Sequence, residues 1–409
     1  MDQKTRQRAF ILLLAATALS SFAGILSEGT FSNFYFEVYG ATADMRGFIE
    51  FPRELPGLIA VVVISLMAFM GEIKLAIAAQ LLSIVGLILL GIFTPPFAIM
   101  LVFLFINSMG THLYMPLKDS IGLNIIGSEN TGRKFGILNG VRTGVGFLAA
   151  GTVFFGFRFG FFSFSHEIFR NFVIATLFFA AVVLILLKIR KLIGDPKINT
   201  GKKRFLFRKQ YKFYYIMASL HGAHKQVAYV FGTWVLVTIL LRTADDMAIL
   251  SMVGLFLGMF FIPTAGWLVD KIGVRKMLFV EGFAFISIYI AFGIFSGGLV
   301  SGRFATVGIS ALIVYALFVL DRMTMQLGMI RALYLRSIAV DKTEIAPTLS
   351  TGMSIDHAIS IICASLGGLV WNAWGPQYVF YIAAVLSLGN VMVAFWLPRT
   401  QGKEATEGA

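Results

Sequence analysis

The sequence predicts an all-α polytopic membrane protein in which twelve transmembrane helices form two six-helix bundles. Three observations lead to this prediction. Hydrophobic residues make up 58% of the 409 residues and charged residues only 13%, a balance far from the soluble average. The apolar residues fall in long runs of about the 20 residues that a spanning helix needs. A strongly basic stretch near the middle separates these runs into two sets.

Each set contains six apolar runs, which we take as predicted spans one to twelve. The first six cover residues 8–36, 47–70, 75–94, 97–123, 134–157 and 168–189. The second six cover residues 213–240, 246–265, 277–296, 304–335, 346–371 and 376–398. The first run lacks a clear small-residue cleavage site, so we expect a span and not a cleaved signal peptide. The predicted domains are an N-terminal bundle (1–190), a basic linker (191–212) and a C-terminal bundle (213–409).

The distribution of basic residues predicts the orientation, because basic loops stay on the cytoplasmic side. One side of the predicted membrane holds Lys4, Arg6, Arg8, Lys74, Arg133, Lys134, Lys271, Arg275, Lys276, Arg336 and Lys342. The other side carries mainly Arg158, Arg170, Arg242 and Arg303. Both termini are therefore predicted to be cytoplasmic, with the protein in the inner or plasma membrane.

The central stretch from 188 to 212 holds ten basic residues against Asp195 alone. Together with the loops it explains most of the net charge of +13, and we expect it to lie against anionic lipid headgroups. A nucleic-acid tail is the alternative, but no nucleic-acid-binding module surrounds it. The one cysteine, Cys363, excludes an internal disulfide.

A short polar hairpin joins spans eight and nine, and its sequence is Gly266-Trp-Leu-Val-Asp270-Lys-Ile-Gly273-Val-Arg275-Lys276. The frame Gly-x-x-x-Asp-basic-x-Gly resembles the loop signature of the major facilitator superfamily. Val274 departs from it, since a basic residue is common there. This resemblance covers essentially the whole chain and implies secondary transport by alternating access around a central cavity. We expect Asp270 to lie near 131–133, where the free backbone N–H groups at the start of span five favour an anion, and to hold the cytoplasmic side closed. Arg275 is expected at the same gate.

Other positions depart from the family pattern. Ala68 replaces the Asp of the first-half signature, although Gly71 and Lys74 fit it. Ile106 stands where many proton-coupled members have Arg, and span five lacks the Gly-Pro pair of antiporters. These departures weaken a drug:proton antiporter interpretation and leave the direction of transport open.

The two halves also resemble each other, as the six-plus-six repeats of many secondary transporters do. In span four, Gly110-Thr-His-Leu-Tyr-Met-Pro-Leu-Lys118 matches Gly328-Met-Ile-Arg-Ala-Leu-Tyr-Leu-Arg336 in span ten. Chance is the alternative for matches this short.

Ionisable side chains inside the spans mark the candidate site, because they are costly in a bilayer and usually functional. Those near the midplane are His112, Arg142, His221, His224, Lys225, Asp321, Arg322, Asp356 and His357. Their basic groups outnumber their acids, which favours an anionic or zwitterionic solute. Proton movement is expected through Asp356, His357 or His224, and we expect Asp356 or His357 to reach His224 or Arg322. The alternative is that these charges only pair with one another to lock helices together.

His221 and His224 are three residues apart and invite a metal site, yet the adjacent Lys225 disfavours a cation there. No metal or cofactor is expected, and no nucleophile–base pattern indicates an enzyme. The expected partners are a small solute, protons or another coupling ion, and membrane lipid, with the protein acting as a monomer.

A second charged cluster lies at the outer end of span two and contains Glu50, Arg53 and Glu54 together with Arg46. The i, i+3 and i, i+4 spacings allow ion pairs, and Pro52 and Pro56 bend the helix. An outer gate and a static structural brace are both compatible with this pattern. Glu28 and Asn33 in span one face the same outer half.

Two other functions are compatible with the sequence. Export of an amphiphilic compound is suggested by 41 Phe and 17 Met, although such residues also serve lipid-facing packing. A transport-inactive receptor or sensor would fit the loss of the first-half Asp, but the charges near the midplane argue against it.

The orientation can be tested with single cysteines in a Cys363→Ser background. Asn199→Cys and Glu404→Cys should react with a membrane-impermeant thiol reagent only when it reaches the cytoplasm, because both lie on the basic side. Val300→Cys should react from outside. Labelling of position 199 from outside intact cells would contradict both the orientation and the count of twelve spans.

Overall fold

A computed structural model of the protein describes residues 2–126, 131–197, 206–341 and 344–397. These residues form helices joined by short loops, and the described ranges contain no β-strand. The main helices before the central basic stretch are α1 (Gln3–Glu28), α2 (Phe31–Tyr39), α3 (Ala43–Leu66), α4 (Glu72–Ile92), α5 (Phe97–Ile126), α6 (Thr131–Arg158) and α7 (Arg170–Ile193). There follow α8 (Lys212–Gln226), α9 (Gly232–Trp234), α10 (Ala244–Ile272), α11 (Val274–Val300), α12 (Ile309–Met325), α13 (Met329–Ile338), α14 (Ile345–Trp374) and α15 (Pro376–Trp396).

Ten helical segments in the described ranges are long and apolar enough to cross a membrane. One of them combines α1 with α2, and another combines α12 with α13. The predicted all-α polytopic fold is thus confirmed. The count of twelve needs two more spans, for which α3 and the helical run from α8 to Ile239 are the candidates. The first carries five charged residues, and the second alternates α-helical and π-helical turns.

The chain divides into two compact units. The first comprises Met1–Gly40, Pro52–Lys202 and Thr243–Leu255, and the second comprises Ala41–Phe51, Lys203–Arg242 and Phe256–Ala409. Most of α3 therefore groups with the first unit, while its first turns group with the second. The predicted domain limits remain predictions. Part of the predicted linker, 198–205, lies outside the described residues, as do Lys342 and 398–409.

In the first unit, α4 and α5 pack backbone against backbone. A Cβ atom on Gly86 would lie 2.3 Å from the backbone nitrogen of Asn107, and one on Gly110 would lie 2.4 Å from the carbonyl oxygen of Ala79. The Asn107 amide also donates a hydrogen bond to the Ser83 carbonyl (3.0 Å). Small residues allow this close approach, which supplies packing in a bilayer where the hydrophobic effect between helices is absent.

The hairpins before α4 and α11 share one backbone conformation. Gly71 has φ 84° and ψ 159°, and Gly273 has φ 83° and ψ 159°. A side chain at such a positive φ would be strained, so glycine fits both places. This match supports the six-plus-six repeat.

An acidic side chain links the hairpin before α4 to the end of α7, and a basic side chain links the hairpin before α11 to the end of α15. Beyond α7, the Asp195 carboxylate accepts a hydrogen bond from the backbone N–H of Ile73 (2.9 Å) and lies 3.3 Å from the Arg190 guanidinium. In the second unit, Arg275 Nε donates to the carbonyl of Ala394 (2.8 Å). An anion thus meets a helix N-terminus in one unit, and a cation meets a helix C-terminus in the other, as the helix dipole favours.

Gly86→Ala should lower the free energy of unfolding by about 1–3 kcal/mol, because its methyl group must push α4 away from α5. Gly24→Ala on α1 is the matched control, since a Cβ there meets nothing within 4 Å. It should leave stability unchanged or raise it slightly. Thermal unfolding of the purified proteins measures both effects, and equal melting temperatures would contradict the close α4–α5 contact.

Candidate functional site

The carboxylate of Asp356, on α14, lies between two basic side chains of α8. Its Oδ2 is 2.5 Å from His221 Nδ1, and its Oδ1 accepts a hydrogen bond from Lys225 Nζ at 3.0 Å. The side chains of His221, Asp356 and Lys225 are 20%, 15% and 18% exposed. They are therefore held in place by one another, and none of the three is fully buried.

Gly222 allows this arrangement, because α8 and α14 cross there at very short range. A Cβ on Gly222 would lie 2.4 Å from the carbonyl oxygen of Asp356. Ser360 Oγ donates to the Gly222 carbonyl at 3.1 Å. His221 and Lys225 are four residues apart, so they share the face of α8 that meets α14.

Arg331 on α13 adds a third basic group. Its charge acts on Asp356 and on Tyr214, and its guanidinium and the His221 ring both border Gly328. We call Asp356, His221, Lys225 and Arg331 the Asp356 cluster. The cluster thus contains one acid and three basic side chains.

His224 does not take part in this cluster, although it is only three residues from His221. It is buried, its Nε2 lies 3.0 Å from Ser387 Oγ on α15, and its ring stacks on Phe285 at 4.2 Å. The reason is that α8 packs against both α14 and α15. The two histidines therefore meet different helices and do not converge on one ligand.

Arg322 also lies away from Asp356, so the partners expected for Asp356 differ from those found. Its guanidinium donates to Thr233 Oγ1 (3.0 Å) and lies over the rings of Tyr229 (4.1 Å) and Phe318 (4.7 Å). Such placement over aromatic faces stabilises a cation in an apolar setting. Asp321, one residue earlier, is buried and faces Tyr289 of α11.

Within the first unit, His112 and Arg142 occupy separate places. His112 Nδ1 lies 3.0 Å from Ser108 Oγ, which itself donates to the carbonyl of Arg53 (2.5 Å). The Arg142 side chain is exposed, and its backbone carbonyl accepts a hydrogen bond from Ser21.

Glu28 is the last residue of α1, at the break between α1 and α2. Its carboxyl group interacts electrostatically with Arg53.

The predicted outer cluster is divided by the unit boundary. Arg46 and Glu50 belong to the second unit and form a buried ion pair at 2.5 Å, whereas Arg53 and Glu54 belong to the first. The start of α3 crosses α14 closely, since a Cβ on Gly47 would lie 2.2 Å from the carbonyl of Ala364. Next to this crossing, the Asn372 amide donates to Asp44 at 2.6 Å.

The remaining predicted residues are placed as follows. Asp270 is exposed on the last turn of α10. Arg275 caps α15, as described above. His357 is partly buried on α14.

Sequence reasoning missed two features of the second unit. Arg331 was visible only as part of a repeat motif, and Glu281 with its partner Asn390 was overlooked. A single acid within the apolar run 277–296 was the available signal for Glu281, since such a residue is costly in a bilayer.

No protein-family model matches the chain, and no curated protein matches it. Solved structures do. The nucleoside transporter NupG, in a mutant form, superposes with a TM-score of 0.75 at 14% identity, covering 95% of this chain and 98% of that one. A POT family transporter in complex with 5-aminolevulinic acid gives 0.74 at 12% identity, covering 96% and 97%. A bacterial homologue of the iron transporter ferroportin, in an inward-facing state, gives 0.72 at 13% identity, covering 98% and 100%.

The chain therefore has the fold of the major facilitator superfamily, as the hairpin signature predicts. These three similar structures are described as transporters. At 11–14% identity, this similarity defines the fold and leaves the solute to be inferred from the residues of the site.

Proposed function

We propose that the protein is a secondary active transporter that moves a small anionic or zwitterionic solute across the membrane by alternating access. Its fold and its apolar helices support transport. The Asp356 cluster is the observation that carries the choice of solute. Lys225 and Arg331 supply positive charge for a carboxylate or phosphate group, while Asp356 offers an acceptor for an ammonium group.

The remaining basic groups support the same choice. Arg322 in the second unit and Arg142 in the first are further cations within predicted spans. A charged side chain is costly there and usually has a function. The proposed coupling ion is the proton, bound at Asp356, His357 or His224. An Asp held by a cation stays ionised, whereas an Asp in apolar surroundings takes up a proton. Breaking and remaking the contact of Asp356 with Lys225 would therefore link proton binding to solute binding.

The first experiment is a thermal-shift screen of the purified protein against carboxylates, phosphates, amino acids and organic cations at two pH values. The stabilising compound then becomes the transport probe. Lys225→Gln and Arg331→Gln should weaken its binding about tenfold or more, because each removes a charged hydrogen-bond donor from the Asp356 cluster. Lys209→Gln, on the exposed surface, is the matched control and should bind normally. Stabilisation by organic cations alone would contradict the proposal.

Asp356→Asn should abolish pH-driven accumulation of that probe in proteoliposomes, because the amide cannot bind and release a proton. Exchange of the probe across the membrane without a gradient should be largely retained. Both rates are measured with the same vesicles, with and without an imposed pH gradient. If Asp356→Asn still concentrates the probe, Asp356 only joins α14 to α8 and proton coupling lies elsewhere.

We further propose that Asp270 and Arg275 act at the cytoplasmic gate and that Glu50, Arg53 and Glu54 act at the outer gate. The exposed carboxylate of Asp270 and the buried Arg46–Glu50 pair support this division of roles. The single Asp of the hairpin signature leaves one such latch in the chain, because Ala68 stands at the other position.

Asp270→Asn should shift the resting population toward the inward-open state and slow transport without abolishing binding of the probe. The shift can be followed as faster thiol labelling of Asn139→Cys, an exposed polar position on α6, in a Cys363→Ser background. Glu167→Gln in a surface loop serves as control. Unchanged labelling in Asp270→Asn would refute the latch.

Export of an amphiphilic compound is the second candidate. A cavity of about 420 Å³ in the second unit favours it, because the cavity is lined by apolar residues of α8, α14 and α15. The thermal-shift screen separates the two candidates, because an amphiphile site prefers hydrophobic compounds over small anions. A receptor without transport would bind the probe but show no exchange.

A further inference from the structure

Glu281 is a buried acid inside a membrane-spanning helix that the proposed transport mechanism does not use. It lies on α11, seven residues after the helix begins at Val274, which is about 10 Å along the axis. The residue is 5% exposed. Of the two ends of α11, the hairpin end is the nearer one to Glu281.

Asn390 on α15 is its hydrogen-bond partner. The Asn390 Nδ2 donates to Glu281 Oε2 at 3.1 Å, and both side chains are buried. The amide oxygen of Asn390 is buried and has no hydrogen-bond partner in the described structure. An unsatisfied buried acceptor is destabilising, so a hydrogen-bond donor at this oxygen would stabilise the structure.

A protonated carboxyl group of Glu281 is such a donor. An ionised carboxylate only accepts hydrogen bonds, whereas a carboxylic acid donates one O–H and accepts on its other oxygen. The protonated acid and the Asn390 amide would thus form two hydrogen bonds side by side. The ionised form would instead set a negative charge against the amide oxygen.

The groups around Glu281 give an ionised carboxylate no ion-pair partner among the described residues. From α15 comes Asn390. One turn further along α11, Phe285 stacks on His224 of α8, which also lies 3.0 Å from Ser387 of α15. On α11 itself, Tyr289 lies within electrostatic range of both Glu281 and Asp321 of α12. Arg331 of α13 is not an ion-pair partner of Glu281 either, because its positive charge interacts with Asp356 and Tyr214. A carboxylate buried without a cation is strongly disfavoured relative to the neutral acid.

We propose that Glu281 is a proton-binding site of the second unit, at which a proton bound to the carboxyl group is held by the amide oxygen of Asn390. The proton comes from water at the hairpin end of α11 and returns there when the pair separates. Loss of the proton makes the α11–α15 contact unfavourable, so the charge state of Glu281 biases the packing of these helices. That Glu281 serves coupled transport rests on the proposed function, whereas proton binding itself does not.

Infrared difference spectroscopy of the purified protein between about pH 5 and about pH 9 tests the proposal without any solute. The wild type should show the carbonyl-stretch band of a protonated carboxyl group in an apolar setting, persisting at neutral pH. Glu281→Gln should remove one component of this band, and Asn390→Leu should move that component to the position of a non-hydrogen-bonded acid. Glu167→Gln, an exposed acid, should leave it unchanged.

A second measurement on the wild type guards against misfolding of Glu281→Gln. A hydrophobic carbodiimide reacts with protonated carboxyl groups in apolar surroundings, and peptide mapping should find Glu281 modified at neutral pH but not at high pH. The proposal is overturned if the infrared band of Glu281→Gln is identical to that of the wild type, or if Glu281 escapes modification at every pH. Either failure leaves the transport proposal standing, because that proposal is tested by the binding and accumulation of a solute at the Asp356 cluster.

Discussion

The central constraint on this protein is that a bilayer interior cannot solvate polar groups, so each of them needs a partner within the protein. The second unit shows the consequence most fully. Asp356 is shared between His221 and Lys225, His224 meets Ser387, and Glu281 meets Asn390. In water these contacts would contribute little, because solvent competes for both partners. Here they decide which helices lie side by side.

Close helix packing is what brings those partners into contact. Gly222 brings α8 to within backbone contact of α14, just where Asp356 must meet His221 and Lys225. Gly86 and Gly110 do the same for α4 and α5. Because helices in a membrane gain no hydrophobic energy by associating with one another, they depend on small residues and on interhelical hydrogen bonds. The positions of the side chains at the candidate site therefore depend on glycines, which have no functional group of their own.

Interruptions of the helices accompany the polar residues. Span one breaks between α1 and α2 beside Glu28, and span ten passes through a 3-10 turn, Gln326–Gly328, just before Arg331. The span that begins with α8 contains two π-helical stretches after Lys225. Irregular turns of this kind leave backbone groups free and are found near the binding sites of many transporters. They also offer places where a helix can bend during a transport cycle.

The sequence by itself determined the fold class and the approximate ends of the helices, because the length of an apolar run directly reflects the thickness of the membrane. It also indicated the superfamily fold through the hairpin around Asp270 and Gly273, since a tight turn at positive φ admits few residues. It identified Asp356, His221 and Lys225 as polar residues at similar depth, because a charge in a span is visible without any structure.

Only the tertiary structure decided which of these residues meet. Periodicity places His221 and His224 on one side of α8, but the packing of that helix between α14 and α15 sends them to different partners. The positions of Arg322 and Asp356 along their predicted spans suggested that the two are partners. The Arg322 guanidinium instead lies over Tyr229 and Phe318. The pairing of Glu281 with Asn390 joins residues 109 positions apart. Such contacts depend on the rotation of each helix about its axis, and neighbouring helices set that rotation, not the local sequence.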